Sequence, residues 1–366
     1  MLVTAIEARP LRSLDRVRVE LEPGIVSVVG PNGVGKTNLV EALYFALTGR
    51  SFRTSDRRDL IPFGGSLARA EAWIRDEDGL ERRLMASVSR VEGRRHLLDG
   101  SPADPATLAR NRPPVAVFAP DRLSLIKGPP GERRAHIDGF VAARWPSRTE
   151  LRKRYGQALA QRNALLSRLS AGYGSASDLD VWDAGMAAAA APLVAAREEA
   201  IAELSGPFAA AAAELGLEGG ASLEYAPRAA GAEDEIRIGL EQRRDQDIRI
   251  GRSSWGPHLD EFKAATAGRS LRRYGSQGQQ RAALLSLLFA ERAVLLAARR
   301  VTPLLLLDDV MSELDPGRRE RLVARLDDGG QALITAADEE SLPAAALRSV
   351  VRMPAPPEAL PDSAAA

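Results

Sequence analysis

Apolar and charged residues alternate along Val17–Leu21, the two-residue period of a strand with one buried face, and short apolar runs predict strands at Val3–Glu7 and Ile25–Val29. Just beyond Val29 the period changes. Positions 39, 43 and 47, with 40 and 44, are apolar, so 38–47 predicts a helix. Further strands are predicted at Ala70–Ile74, Leu84–Val88 and, after the Pro113-Pro114 punctuation, Val115–Phe118. A different texture begins near Arg133. From about 137 to 216 the chain is rich in Ala, Leu and Arg at helical spacing, with breaks expected at Gly172–Ser177 and Gly206-Pro207. This predicts an all-helical insertion, in which the alanine run 187–191 is ordinary helix. Mixed signals resume at Leu223, with a strand near Glu261–Ala264 and a long helix over about 277–298. The continuous apolar run Leu304–Leu307 predicts a buried parallel strand and Ala332–Thr335 the next. The segment 354–366, with four prolines among small residues, reads as a disordered tail.

The change of period at Val29 encloses Gly30-Pro31-Asn32-Gly33-Val34-Gly35-Lys36-Thr37, which fits the phosphate-loop pattern G-x-x-x-x-G-K-[ST] between a strand and a helix. That context turns several backbone N–H groups and a helix N-terminus, through Asn38, onto one point, a site for a triphosphate. The three glycines let the backbone wrap the phosphates, Lys36 reaches the β- and γ-phosphates, and the Thr37 hydroxyl ligates Mg²⁺. ATP and Mg²⁺ are the cofactors this implies.

Composition sets bounds. A length of 366 residues allows about two or three folding units. The apolar fraction of 45% supports a sizeable core, and the net charge of +1 means that any nucleic-acid surface must be a local patch. Four lysines (36, 127, 153, 263) leave 46 of the 50 basic residues to arginine, which fits a coding bias better than a functional choice. Cysteine is absent, excluding disulfides and thiolate metal sites. No apolar run is expected to span a bilayer, and Met1–Glu7 has no basic segment leading into an apolar one, so a cytoplasmic protein with no membrane partner is expected. The histidines (96, 136, 258) have no metal-ligand spacing and are expected to be structural.

Two further segments carry chemistry. Leu304–Leu307 ends in Asp308-Asp309: the first carboxylate can hold Mg²⁺, and the second stands where a general base or water-orienting group is needed. Ser312-Glu-Leu-Asp315 follows, with Asp315 a further nucleotide-site candidate. Upstream, Ser276-Gln277-Gly278-Gln279 opens the long helix and forms a second anion site, and the string is expected to add little to capping. In ABC-type ATPases such a signature element faces the γ-phosphate held by another subunit.

Five strings, GPNGVGKTNLVEALYFALTGRSFR (30–53), FAPDRLSLIKGPPGERRAHID (118–138), GPHLDEF (256–262), YGSQGQQRAALLSLLFAE (274–291) and LLLLDDVMSELD (304–315), together resemble the RecF family of bacterial DNA-repair ATPases. The resemblance spans residues 1 to about 338. It implies an α/β fold: an ABC-type ATPase head with a phosphate-loop parallel sheet, antiparallel N-terminal strands and an inserted all-helical arm. The division expected is 1–136 for the first half of ATPase lobe I, 137–235 for the arm, 236–352 for the signature and second acidic half, and 353–366 for the tail. It also implies an ATP-dependent homodimer that clamps single- and double-stranded DNA at gap junctions, with RecR and RecO as partners that help load RecA. This sequence departs at Leu259, where the family has arginine. It has no glutamine after Phe118 and no histidine near Thr335, which implies slow, DNA-stimulated, regulatory hydrolysis.

Basic clusters are Arg57-Arg58, Arg94-Arg95, Arg133-Arg134, Arg152-Lys153-Arg154, Arg243-Arg244 and Arg272-Arg273. The DNA contacts expected are Arg144, Arg148, Arg152, Lys153 and Arg154, grouped on a helix by their spacing and touching phosphates rather than bases. Two other readings stay open: the nucleotide-binding subunit of an ABC transporter, which normally has the missing glutamine and histidine and lacks the helical insertion, and an ATP-binding recruitment scaffold with negligible hydrolysis.

Overall fold

The chain opens with β1 (Leu2–Arg9), β2 (Val17–Glu20) and β3 (Ile25–Val29), then α1 (Lys36–Thr48), β4 (Leu67–Arg75), β5 (Glu81–Ser89), β6 (Gly93–Leu98), β7 (Ser101–Pro102), α2 (Pro105–Arg110) and β8 (Val115–Phe118). A mostly helical stretch follows: α3 (Ser124–Lys127), α4 (Pro130–Arg144), α5 (Leu151–Ser170), α6 (Leu179–Glu214), β9 (Ala221–Ala226), α7 (Glu233–Glu241), α8 (Arg244–Ile250), β10 (Glu261–Thr266), β11 (Arg269–Ser270), α9 (Leu271–Tyr274) and α10 (Gln277–Arg299). The last elements are β12 (Leu304–Leu307), α11 (Pro316–Asp327), β13 (Ala332–Ala336) and β14 (Val350–Arg352). This computed structural model describes residues 1–353 apart from 55, 77, 120–122, 300–301 and 328–329. The proline-rich tail expected from Pro354 onward lies outside the described residues.

Two units form, Met1–Arg122 with Arg300–Ala366, and Leu123–Arg299. The signature helix α10 therefore groups with the arm helices, and not with the second acidic motif as the division at 236 has it.

In the first unit, β14-β3-β13-β12-β8 make a parallel sheet and β2-β1-β4-β5-β6-β7 an antiparallel one. Helix α1 packs on β1, β4 and β5 of one and on β13 of the other. Its apolar residues are accordingly buried on more than one face, Leu39, Val40, Leu43, Phe45 and Leu47 all being inaccessible. Buried Gln331 ties the two sheets: its Oε1 accepts from Val3 N, and its Nε2 donates to the carbonyls of Val3 and Glu22. Strand β6, GRRHLL, escapes the alternation test because its solvent side carries no regular pattern.

In the second unit, α6 packs on α5, α7, α10 and β9, and β11-β10-β9 form a small antiparallel sheet. Two sequence expectations are corrected here. The break at Gly206-Pro207 is absent, since α6 runs through both Pro192 and Pro207. Burial of Leu204, Phe208 and Ala211 overrides the hydrogen bonds that the prolines remove. By length and composition, the stretch Ala176–Glu214 is also apolar enough to cross a membrane. Here it is a core helix with buried Asp183 and Arg197 in ion pairs.

Arg162, wholly buried on α5, donates Nε to Asp183 at 2.6 Å and Nη1 to Asp247 at 2.6 Å and to Ser253 Oγ at 2.8 Å. Removing this cation leaves buried Asp247 with only the hydrogen bonds from Ser254, and Asp183 with Arg244 alone. Arg162→Met is expected to destabilise the unit by about 3–5 kcal/mol, read as a lower urea midpoint through Trp182 and Trp255 fluorescence. An unchanged midpoint would mean that the network contributes nothing net.

Candidate nucleotide site

Strand β3 is buried along its whole length and delivers the chain into the glycine loop. Gly33 at φ +86° and Gly35 at φ +104° adopt the left-handed region that turns the loop onto α1. A Cβ on Gly35 would come within 2.7 Å of Leu14 Cδ2. Helix α1 starts at Lys36 with no acidic residue of its own in its first turn, so the helix itself does not neutralise the positive end of its dipole. Lys36 is buried, and its Nζ donates to the carbonyls of Gly30 at 2.6 Å and Pro31 at 3.0 Å. Asn38 Nδ2 donates to Ser13 Oγ, and its Oδ1 accepts from Arg53. Inside α1, fully buried Glu41 accepts from Arg12 and Ser51 and holds Arg53 at 3.5 Å.

Two strands over from β3, β12 carries Asp308 at its end. Thr37 Oγ1 donates to the Asp308 carboxylate, 3.0 and 2.9 Å from its two oxygens, so the loop and the second acidic motif meet directly. Thr335 on the intervening β13 donates to Asp308 Oδ1 at 2.8 Å and accepts from Asp309 N at 2.8 Å. Asp309 adopts φ +50°, a left-handed position that a non-glycine residue takes only under local constraint. Burial pushes the Asp308 carboxyl above its ordinary pKa, and hydrogen bonds from Thr335 and Thr37 partly oppose this. Thr335 is a site residue that sequence reasoning passed over. Its signal is long-range, because it depends on β13 lying between β3 and β12.

These residues fit a magnesium nucleotide. Mg²⁺ takes hard oxygen ligands and needs only one or two from the protein when phosphates supply others. Thr37 Oγ1 and Asp308 offer that pair, and Lys36 with the left-handed glycines offers the phosphate cradle. Among the described residues no cluster of three or more His, Cys, Asp or Glu could hold a metal otherwise.

Asp315 caps α11: its Oδ1 accepts from Arg318 N at 2.9 Å, which holds its carboxyl below the usual pKa. In the second unit, Ser276 is the N-cap of α10. Its Oγ accepts from Gln279 N at 3.2 Å, and Gln279 Oε1 accepts from Ser276 N at 2.9 Å. The expectation that the string adds little to capping is thus corrected, since Ser-x-x-Gln is a reciprocal capping box. Ser276 and Gln277 are exposed, and Gly278 is half-buried.

The GPHLDEF segment is structural. Asp260 is fully buried and accepts from Arg197, Tyr225 and the backbone N of Arg228. His258 accepts from Tyr155 Oη at Nδ1 (2.7 Å) and donates from Nε2 to the Ser253 carbonyl (3.2 Å), while Leu259 is exposed.

The arginines expected on one helix do not share one. Arg144 ends α4, Trp145 breaks the helix, Arg148 lies in a 3₁₀ turn, and Arg152, Lys153 and Arg154 open α5. Arg144 pairs with Glu203 and Arg148 with Glu199, both stacked on Trp145; Arg152 lies 3.7 Å from Asp138 and Lys153 3.2 Å from Glu150. Of these five, only Arg154, which is exposed, has no carboxylate within 4.0 Å among the described residues.

Comparisons with known proteins identify the family. Residues 2–355 match the family described as RecF/RecN/SMC N terminal domain. The chain is 37% identical over 364 residues to "DNA replication and repair protein RecF" of Streptomyces avermitilis, covering 94% of this chain and 95% of that one. The protein of the same description from Heliobacterium modesticaldum is 33% identical over 344 residues, covering 89% and 90%. Among solved structures, "Structure of the recombination mediator protein RecF-ATP in RecFOR pathway" matches with TM-score 0.84 and 25% identity over 92% of each chain. A Smc head bound to the C-winged helix domain of ScpA matches with TM-score 0.56 and 18% identity over 96% and 94%, which reflects shared fold alone. None of these relatives is a transporter subunit. The chain belongs to the RecF family of DNA replication and repair proteins, within the wider group of RecF, RecN and SMC ATPase heads.

Proposed function

We propose that this chain is an ATP-binding DNA-repair protein of the RecFOR pathway and an ATPase, whose ATP-bound homodimer clamps DNA. The observation that carries the reading is the convergence of Lys36, Thr37 and Asp308 on the positive end of α1. Bound ATP with Mg²⁺ supplies a phosphoanhydride whose hydrolysis releases the clamp. The loop from Gly30 to Asn38 holds the phosphates, with Lys36 neutralising their charge, and Thr37 and Asp308 supply oxygens to the metal. Asp309 accepts a hydrogen bond from the attacking water and takes its proton. Ser276, Gln277, Gly278 and Gln279 of one copy, with Asp315, complete the site of another. RecR and RecO are the partners through which the clamp reaches a recombinase, and gap junctions are the DNA it holds. Hydrolysis is slow, is stimulated by DNA and times release.

The test is anisotropy of a labelled gapped duplex with ATP, with ADP and without nucleotide. Retention with ATP alone is expected. Asp309→Asn should bind ATP within about twofold of wild type, since Asp308 still meets the metal, yet should retain DNA longer because turnover falls by about 10²-fold or more. Equal retention in the three nucleotide states would overturn the clamp, and unchanged turnover would remove Asp309 from catalysis.

A further inference from the structure

The structure gives most members of the basic pairs a partner. Arg58 is held by Asp56, Arg95 by Glu92, Arg133 and Arg272 by Glu261, Arg134 by the Asp260 carbonyl, and Arg244 by Asp180 and Asp183. Arg243 donates to the Gly239 carbonyl and stacks on Trp255, Arg273 stacks on Tyr274, and Arg154 is exposed; Arg57 and Arg94 come together with two further arginines. Among the described residues no carboxylate lies within 4.0 Å of either, nor of Arg50 or Arg112.

All four belong to the first unit, and its fold gathers them. The 3₁₀ turn Arg57–Leu60 packs on β5, which pairs with β6 so that Val88 faces Arg94 and Ala86 faces His96. Arg94 and His96, two residues apart on a strand, share one face. The His96 ring closes over Gly49 at the end of α1, where a Cβ would fall 2.1 Å from Cε1. Arg50 follows directly, and Arg112 follows α2, which packs on α1. Arg57 lies within electrostatic reach of Arg94 and Arg50, His96 of Arg94 and Arg57, and Arg112 of Arg50. Burial first, and then this mutual repulsion, lowers the pKa of Arg57 and His96; burial also lowers that of Arg112, opposed by Tyr44 and helped by Arg50.

Arg57 Nε, Arg112 Nε and His96 Nδ1 are buried with no hydrogen-bond partner. Buried donors left unmade cost free energy, and like charges without a counter-ion add to that cost. A set of planar guanidinium groups with orphaned nitrogens is complementary to a tetrahedral oxyanion. Fully exposed Phe63, on the loop between the Arg57–Leu60 turn and β4, offers a stacking face for an unpaired base, which favours nucleic acid over other anions.

We propose that Arg50, Arg57, Arg94 and Arg112, with His96, form a phosphate-binding site for the DNA backbone, separate from the nucleotide loop. This rests on the reading of the chain as a DNA-binding protein. The site contacts phosphates and reads no sequence.

The test is salt-dependent binding of a labelled gapped duplex by the ATP-loaded full chain, wild type against the Arg57→Gln/Arg94→Gln double variant. The double variant is expected to lose about tenfold in affinity near 0.1 M salt, and its slope of log affinity against log salt should shrink by about two. ATP affinity should stay unchanged, and the thermal midpoint should hold or rise because two unpaired like charges are gone. A merely structural role would lower the midpoint. Wild type that holds no DNA with ATP would overturn the functional reading and this site with it. Wild type that binds while the double variant binds equally well would overturn the site alone, as would a double variant that loses ATP binding together with DNA. Polyglutamate that competes as well as unlabelled DNA of equal charge would assign the site to an acidic protein and overturn the proposal.

Discussion

Lys36→Met should weaken ATP binding by about 10²–10³-fold, roughly 3–4 kcal/mol, because the substitution removes a buried ammonium whose charge-assisted bonds nothing else in the loop can replace. In the structure that ammonium donates to the carbonyls of Gly30 and Pro31, so it is aimed across the loop from within and is poised for phosphate oxygens. Methionine keeps the unbranched stem as far as Cε, and burial of Leu39 and Leu43 keeps α1 in place, so the fold should persist. Calorimetric titration with ATP, beside far-ultraviolet circular dichroism, separates the two effects. ATP-dependent dimerisation and DNA retention should vanish together with binding. Equal ATP affinity for variant and wild type would remove the nucleotide assignment.

The second large effect is expected at Ser276. If each site takes its loop from one chain and its signature from another, Ser276→Arg should bind ATP and yet fail to dimerise, because a bulky cation replaces a small hydroxyl at the partner copy's γ-phosphate. The structure complicates this variant, since Ser276 also caps α10 and losing the cap costs about 1 kcal/mol. Ser276→Asp resolves the ambiguity: aspartate caps as well as serine, but sets a negative charge against phosphate. Both variants should stay monomeric with ATP in light scattering. Mixing Ser276→Arg with Lys36→Met should return some ATPase activity, because one composite site of the heterodimer carries both lesions and the other carries neither. A Ser276→Asp chain that dimerises normally with ATP would refute the shared site.

Local chemistry was legible and long-range pairing was not. The phosphate loop stood out because the period of apolar positions changes around it, and Asp308 because four leucines lead into it. Their meeting through Thr37 follows from both lying at strand ends of one parallel sheet. Thr335 could not be found in the same way, since only the strand order sets it beside Asp308. The arginines mislead for a related reason. Sequence shows their charge but not their partners, and Glu199 and Glu203 arrive from α6, 51 and 59 residues downstream of Arg148 and Arg144. Pro207 reads as a helix end by propensity, but burial of its neighbours decides otherwise. The Ser276–Gln279 box was a local signal open to reading, hidden by the anion chemistry of the same residues.

The order of strands also constrains how the chain is made. Within its sheet, β3 pairs only with β13 and β14, about 305 and 325 residues further on. While the polypeptide emerges from the ribosome, the strand carrying the phosphate loop has neither neighbour until about three hundred further residues have been synthesised. The stretch between β8 and β12, strands that pair directly, is complete about thirty residues before β13 begins, and α3 and α10 from its two ends pack on one another. Folding of that stretch draws the flanking strands together and shortens the effective loop that the parallel sheet must close. A partial product that stops before β13 therefore holds the arm sequence and the phosphate loop, but the strand leading into that loop has no neighbour in its sheet.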